Sequence, residues 1–173
     1  FNSEPSYQML DNEKKFFIRK KIDCFIAIGG GSTIDFAKGL SILYNNKGNA
    51  INYMGFPKKL KKIIPVIAIP TTTSTGSEII YNAVFTDKKS KIKLGINYLN
   101  NYPVASILDS NLLRSAPSLV IYQSAIASLM RSIETYTSPD SDEITKYFSK
   151  QSYNLIMNAL KKKNVRKHLN DLQ

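Results

Sequence analysis

Residues suited to holding a charged ligand gather in two short stretches of the chain. The first is Gly29-Gly30-Gly31-Ser32, followed by Asp35. The second is Thr71-Thr72-Thr73-Ser74-Thr75-Gly76-Ser77, closed by Glu78. Glycines let a backbone approach phosphate oxygens and take up positive φ angles. A helix that starts directly after them aims free N–H groups and the positive end of its dipole at an anion. The hydroxyl run adds donors and acceptors that suit ribose or pyrophosphate oxygens. Ser32 and Asp35 are spaced as a capping box, hydroxyl to one backbone N–H and acid back to another. Each stretch alone also has a plainer reading. A tight strand-to-helix turn needs glycines with no ligand at all, and a Ser/Thr-rich turn can satisfy its own backbone. Neither stretch has the Gly-x-Gly-x-x-Gly spacing or the Gly-Lys-Ser/Thr of a Walker loop.

The elements around these stretches alternate strand and helix signals, which argues for α/β layers. Residues 13–21 read as the end of a helix carrying Phe16, Phe17 and Lys20. Residues 23–28 form a continuous apolar strand, the pattern expected where both faces of a parallel sheet are covered. The spacing of Phe36, Ala37, Leu40 and Tyr44 predicts a helix from Thr33 to about Tyr44, stopped by Asn45-Asn46-Lys47-Gly48-Asn49. A second apolar strand over 63–69 ends at Pro70 and the hydroxyl run. Residues 79–86 and 92–96 flank Asp87-Lys88-Lys89-Ser90 as a hairpin, and 104–108 is another short strand. Beyond residue 110 the character turns helical: 118–136, then 142 to about 162 with Ile144, Phe148, Leu155 and Ala159 as an apolar stripe. This predicts an α/β domain over residues 1–110, incomplete on its N-terminal side, and the first helices of a truncated helical domain over 111–173.

With 43% hydrophobic and 21% charged residues in 173, the chain has an ordinary globular composition. Its apolar runs are strand-sized, far short of the roughly 20 residues that cross a bilayer, so no membrane partner is expected. Phe1 in place of an initiator Met suggests a piece of something longer. Cys24 is the single cysteine, which excludes an internal disulfide framework and a Cys cluster for metal. Its place inside an apolar strand reads as a buried thiol, which fits a reducing, cytoplasmic setting. The net charge of +11 attracts phosphates of any kind. The lysines fall in separate clusters, however (58, 59, 61, 62; 88, 89, 91, 93; 161–163 with Arg166 and Lys167), without the interleaved aromatics of a nucleic-acid surface.

Read together, the motifs are much more specific. Gly-Gly-Gly-Ser-x-x-Asp-x-Ala-Lys over 29–38 and Pro-Thr-Thr-x-x-Thr-Gly-Ser-Glu over 70–78 resemble the iron-containing alcohol dehydrogenase family. Thr86-Asp87 before Lys93, then Ile107-Leu108-Asp109, then Ile133-Glu134-Thr135-Tyr136 continue the resemblance in order, from about Asp23 to Leu160. The resemblance implies an α/β fold: a Rossmann-like dinucleotide-binding parallel sheet followed by the start of an all-helical domain. It implies an NAD(P)-dependent alcohol dehydrogenase or aldehyde reductase, with NAD or NADP as cofactor and iron or zinc as the family's divalent metal. A small alcohol or aldehyde would be the substrate, and a homodimer follows by analogy. The cofactor would be held by the two loops, from Gly29 to Ser77. Gly30, Gly31 and Ser32 would meet the pyrophosphate, and Thr71, Thr72 and Thr75 the adenosine and ribose side. Asp35 would steady the first loop, and Lys93 matches the lysine that reaches the nicotinamide ribose.

The sequence departs from the family at the metal. The resemblance calls for an Asp-x-x-x-His pair just before the Ile-Glu-x-Tyr segment, four residues apart and so facing one cation on a helix. Those positions fall at Ala127 and Arg131, or at Ile126 and Met130 if the register shifts by one. No Asp, Glu or His occurs between Asn111 and Ile133, so neither register supplies a ligand. His168, the single histidine, reads as a surface residue in a lysine-rich tail. Ser74 replaces a glycine common in the second loop, and the family's opening strand-helix-strand portion is not matched. A partial or divergent copy with an impaired metal site is the expectation; a non-catalytic nucleotide-binding remnant is the alternative.

Overall fold

A computed structural model describes residues 4–73 and 76–161, which divide into two compact units. Ser74, Thr75 and the tail with His168 and its basic cluster lie outside the described residues. One unit takes in the chain up to Pro70 together with Gly76–Ile107; the other holds Thr71–Thr75 and everything from Leu108.

The first unit is α/β. Helix α1 (Tyr7–Phe17) is capped by Ser6, whose Oγ accepts the Met9 N–H at 3.2 Å. Strand β1 (Phe25–Gly29) leads to helix α2 (Gly31–Asn45), and β2 (Val66–Pro70) pairs parallel to β1. Strands β3 (Asn82–Asp87) and β4 (Ile92–Asn97) form the antiparallel hairpin, turning through residues 88–91. The short β5 (Ala105–Ser106) lies parallel on the other side of β2, giving the order β1-β2-β5.

Helix α2 is the hub of this unit. Ile34 packs with Ala27, Val66 and Ala68 of the parallel sheet. Phe36, Leu40 and Leu43 pack instead with Tyr7, Leu10, Ala83, Phe85 and Ile96 of α1 and the hairpin. A helix with apolar partners on several sides is buried nearly all round rather than along one stripe. Gly39 is part of this: a Cβ there would stand 2.7 Å from the Phe85 ring and 2.9 Å from the Leu10 methyls.

The second unit is a helical hairpin of α3 (Ser118–Thr137) and α4 (Glu143–Leu160), joined by a five-residue turn over 138–142. Asp142 caps α4 by accepting the Thr145 N–H at 2.7 Å. Its core is Leu113, Ile121, Ala125, Ile156 and Ala159.

Four local expectations change. The first helix, capped by Ser6 at its start, ends at Phe17 instead of running on to residue 21; Lys20 lies beyond it, 4.1 Å from the centre of the Phe16 ring. Strand β1 is covered on one face only: Ala27 is buried, while Ile26 and Ile28 are 64% and 60% exposed. A hollow of about 390 Å³ lined by Met9, Phe17, Phe25, Ile26 and Leu40 opens along it. Cys24 is exposed, since the strand begins one residue later. In α4 the buried positions are Ser149, Ile156 and Ala159, whereas Ile144 and Phe148 stay exposed. Ile156 and Ala159 there pack with Ile121 and Ala125 of α3.

Candidate functional site

The parallel register puts Gly29 opposite Pro70. The two candidate loops therefore leave neighbouring strands at the same, C-terminal edge of the sheet. In open α/β sheets that edge is where ligands bind.

At the first loop, Gly29 has a φ of 155° and Gly30 is extended, so the chain turns sharply from strand into helix. Gly30 is the N-cap of α2 and its carbonyl accepts the N–H groups of Thr33 and Ile34, at 2.9 and 3.1 Å. No side chain caps this end, and no acid stands in its first turn. The amides of Gly31 and Ser32 thus point out of the helix start with the dipole behind them, which is the arrangement that receives an anion. Ser32 is exposed there, and Gly29, Gly30 and Gly31 are half-buried.

The capping box between Ser32 and Asp35 does not form. Because Gly30 is the cap, Ser32 lies inside the first turn and Asp35 a full turn on. Asp35 is 8% exposed and turns toward the hairpin: Oδ2 accepts the Val84 N–H at 3.0 Å, and Oδ1 stands 3.2 Å from the Lys38 Nζ. Its carboxylate joins α2 to β3.

Thr71 and Thr72 follow Pro70 directly, are half-buried and group with the second unit. Within that unit Thr73 is fully buried; its Oγ1 bonds the Ile121 carbonyl at 3.3 Å and the Ser124 hydroxyl, fastening the threonine stretch to α3. Thr75 lies outside the described residues. Ser77 is buried, and Gly76 opens a turn in the left-handed region at φ 76°, closed by the Ile79 N–H on the Gly76 carbonyl at 3.1 Å. That turn delays β3 to Asn82.

Lys93 lies on β4 and its ammonium, about half exposed, pairs with Glu4 at 2.8 Å. The Lys93 bond and charge, helped by the Thr86 hydroxyl, lower the Glu4 carboxyl below its ordinary range. The structure thus places Lys93 beside the start of α1, on the outer side of the hairpin.

One residue that carries this region is the lysine that closes the motif over 29–38, assigned no role from the sequence. Lys38 is fully buried, with its ammonium against the segment that enters β3. The spacing Asp35-x-x-Lys38 inside an apolar helix is the trace it leaves in the sequence.

On α3 the residues at the expected ligand positions offer a methyl group, Ala127, and a guanidinium, Arg131; in the shifted register they are Ile126 and Met130, both more than half exposed. None of these binds a divalent cation. Among the described residues no group of three or more His, Cys, Asp or Glu stands close enough to hold a metal ion. No described helix is long and apolar enough to cross a membrane.

The sequence pattern of the iron-containing alcohol dehydrogenases matches residues 1–110. The NAD-dependent methanol dehydrogenase of Bacillus methanolicus is 32% identical over 146 residues, 84% of this chain and 38% of that protein. The 4-hydroxybutyrate dehydrogenase of Clostridium kluyveri is 32% identical over 156 residues, 90% of this chain and 42% of that protein. The crystal structure of a 1,3-propanediol oxidoreductase superposes with a TM-score of 0.88 at 26% identity, covering 98% of this chain and 46% of that one. The chain spans less than half the length of these relatives.

Proposed function

The chain belongs to the iron-containing alcohol dehydrogenase family, and from that premise we propose that it binds NAD or NADP as the cofactor half of an alcohol dehydrogenase or aldehyde reductase. The observation that carries this reading is the uncapped start of α2, with its outward amides, beside the end of a second parallel strand that opens into a hydroxyl-rich loop. Gly30, Gly31 and Ser32 would hold the pyrophosphate through their N–H groups, with Gly29 supplying the turn. Thr71, Thr72, Thr75 and Ser77 would line the adenosine and ribose side. Asp35 holds α2 against β3 just past its first turn, and Lys93 would exchange Glu4 for the nicotinamide ribose when cofactor is present. The cofactor, once bound, supplies the hydride acceptor or donor for a small alcohol or aldehyde.

The residues this chain presents at the expected positions on α3 do not fit the family's metal. This favours a partial or divergent copy with an impaired metal site, and gives weight to a non-catalytic nucleotide-binding protein as the second reading. The exposed thiol of Cys24 suits a reducing compartment such as the cytoplasm. A homodimer follows the family by analogy.

The test is titration of the purified chain with NADH and NADPH, followed by the fluorescence of the reduced nicotinamide; the chain has no Trp to interfere. Saturable binding of either cofactor is expected. A folded chain that ignores both up to roughly millimolar concentration, where even weak specific binding shows, would defeat the proposal.

A further inference from the structure

Lys38 lies two turns into α2 with no part of its side chain exposed. Its Nζ donates to the carbonyls of Ser77 at 2.9 Å, Ile80 at 3.2 Å and Asn82 at 2.5 Å, and stands 3.2 Å from Asp35 Oδ1. An ammonium has three N–H donors, and here three backbone carbonyls of one short segment receive them. Carbonyl dipoles converging on one point repel each other unless a cation occupies it, so the bend over 77–82 depends on this ammonium. Asp35, one turn back on the same helix, accepts the N–H of Val84, two residues beyond Asn82. A second buried carboxyl, Glu78, 4% exposed, adds negative charge to the cluster. Burial pushes the Lys38 ammonium down from its ordinary pKa, and Asp35 and Glu78 oppose that shift.

We infer that Lys38 is a positioning residue for the cofactor site: it clamps the exit of the second loop, at Ser77, onto the helix that begins at the first loop. The inference rests on the cofactor reading above for its functional consequence, but the clamp itself is a property of the folded chain. Removing the ammonium would leave the carbonyls of residues 77–82 facing one another and free the loop exit from α2.

The experiment compares the wild-type chain with Lys38→Met, which keeps length and removes charge, and with Ile42→Val, a buried change on the same helix that touches neither loop. Hydrogen exchange over 76–84 and NADH titration are read on each. Lys38→Met is expected to lose protection over 77–82 and to weaken NADH binding by about tenfold or more, as loss of a charge-assisted contact implies. Ile42→Val should stay within about twofold on both, the ordinary margin for an independent site. Equal effects of the two variants would overturn the inference, because Lys38 would then act only through general stability. If the wild type binds no NADH, the cofactor reading falls and exchange alone decides: protection over 77–82 unchanged in Lys38→Met sinks the clamp, and its loss sustains it. Should Lys38→Met fail to fold, Asp35→Asn replaces it. Losing the nearer counter-charge lowers the Lys38 pKa further, so exchange over 77–82 should accelerate at a lower pH than in the wild type. An unmoved pH profile would overturn the clamp.

Discussion

At Gly29 two constraints meet on one residue. Its φ of 155° is a conformation that residues with a Cβ rarely adopt, and a Cβ there would stand 2.5 Å from Thr33 Oγ1 and 2.8 Å from Thr33 Cβ. Thr33 cannot step aside freely, because its N–H is bonded to the Gly30 carbonyl at the start of α2. Gly29→Ala is therefore expected to cost about 1–3 kcal/mol, the range for strain and overpacking, and to weaken NADH binding because the displaced amides are the proposed phosphate donors. Urea denaturation and cofactor titration check the two effects, and a variant matching the wild type in both would show that the turn accepts a side chain. Gly29 was legible in the sequence because the lack of a side chain is itself the signal. Lys38 closes the motif over 29–38, but its burial was not legible: it comes from a strand 44 residues away, and a lysine three residues after an aspartate looks the same on a solvated helix.

Among the elements, α1 shows how much a single contact can fix. Tyr7 is 1% exposed, its ring lies 5.4 Å from that of Phe85, and its hydroxyl donates to the Leu94 carbonyl at 2.8 Å. Burial, with a smaller push from the Asp87 charge, raises the phenol to about 12 from 10.0. The fold thus holds the neutral phenol. Its contribution is complete below pH 10 and is lost as pH rises toward 12. Tyr7→Phe is expected to destabilise the chain by about 1 kcal/mol at neutral pH, the usual net value of one hydrogen bond. It should also remove that part of the alkaline loss of stability. Urea midpoints near neutral pH and between pH 10 and 12 read both; parallel alkaline slopes in variant and wild type would refute the assignment. The helices, the three parallel strands and the β3–β4 hairpin are readable from periodicity and turn residues. Their edges are not, for reasons that lie elsewhere in the chain. Strand β3 starts late because the Ser77 and Ile80 carbonyls are taken by Lys38, and α4 buries Ile156 and Ala159 because they meet Ile121 and Ala125 of α3.

For the molecule as a whole, the proposed pyrophosphate contacts and the positions expected to hold metal fall in different units. The uncapped glycine turn and the Lys38 cluster belong to the α/β unit, while the positions where the resemblance calls for the first metal ligands lie on α3 of the helical unit. A phosphate held by backbone amides needs no ion from the protein, since the helix dipole and N–H groups already supply the positive field. On α3, by contrast, Ala127 and Arg131 supply no ligand, and a guanidinium repels a divalent cation. The two properties should therefore separate. After incubation with ferrous iron or zinc and desalting, elemental analysis is expected to find far less than one metal per chain, and NADH affinity should be the same with and without EDTA. Stoichiometric iron or zinc, or cofactor binding that disappears with the chelator, would mean that ligands from elsewhere complete a site the α3 sequence does not supply.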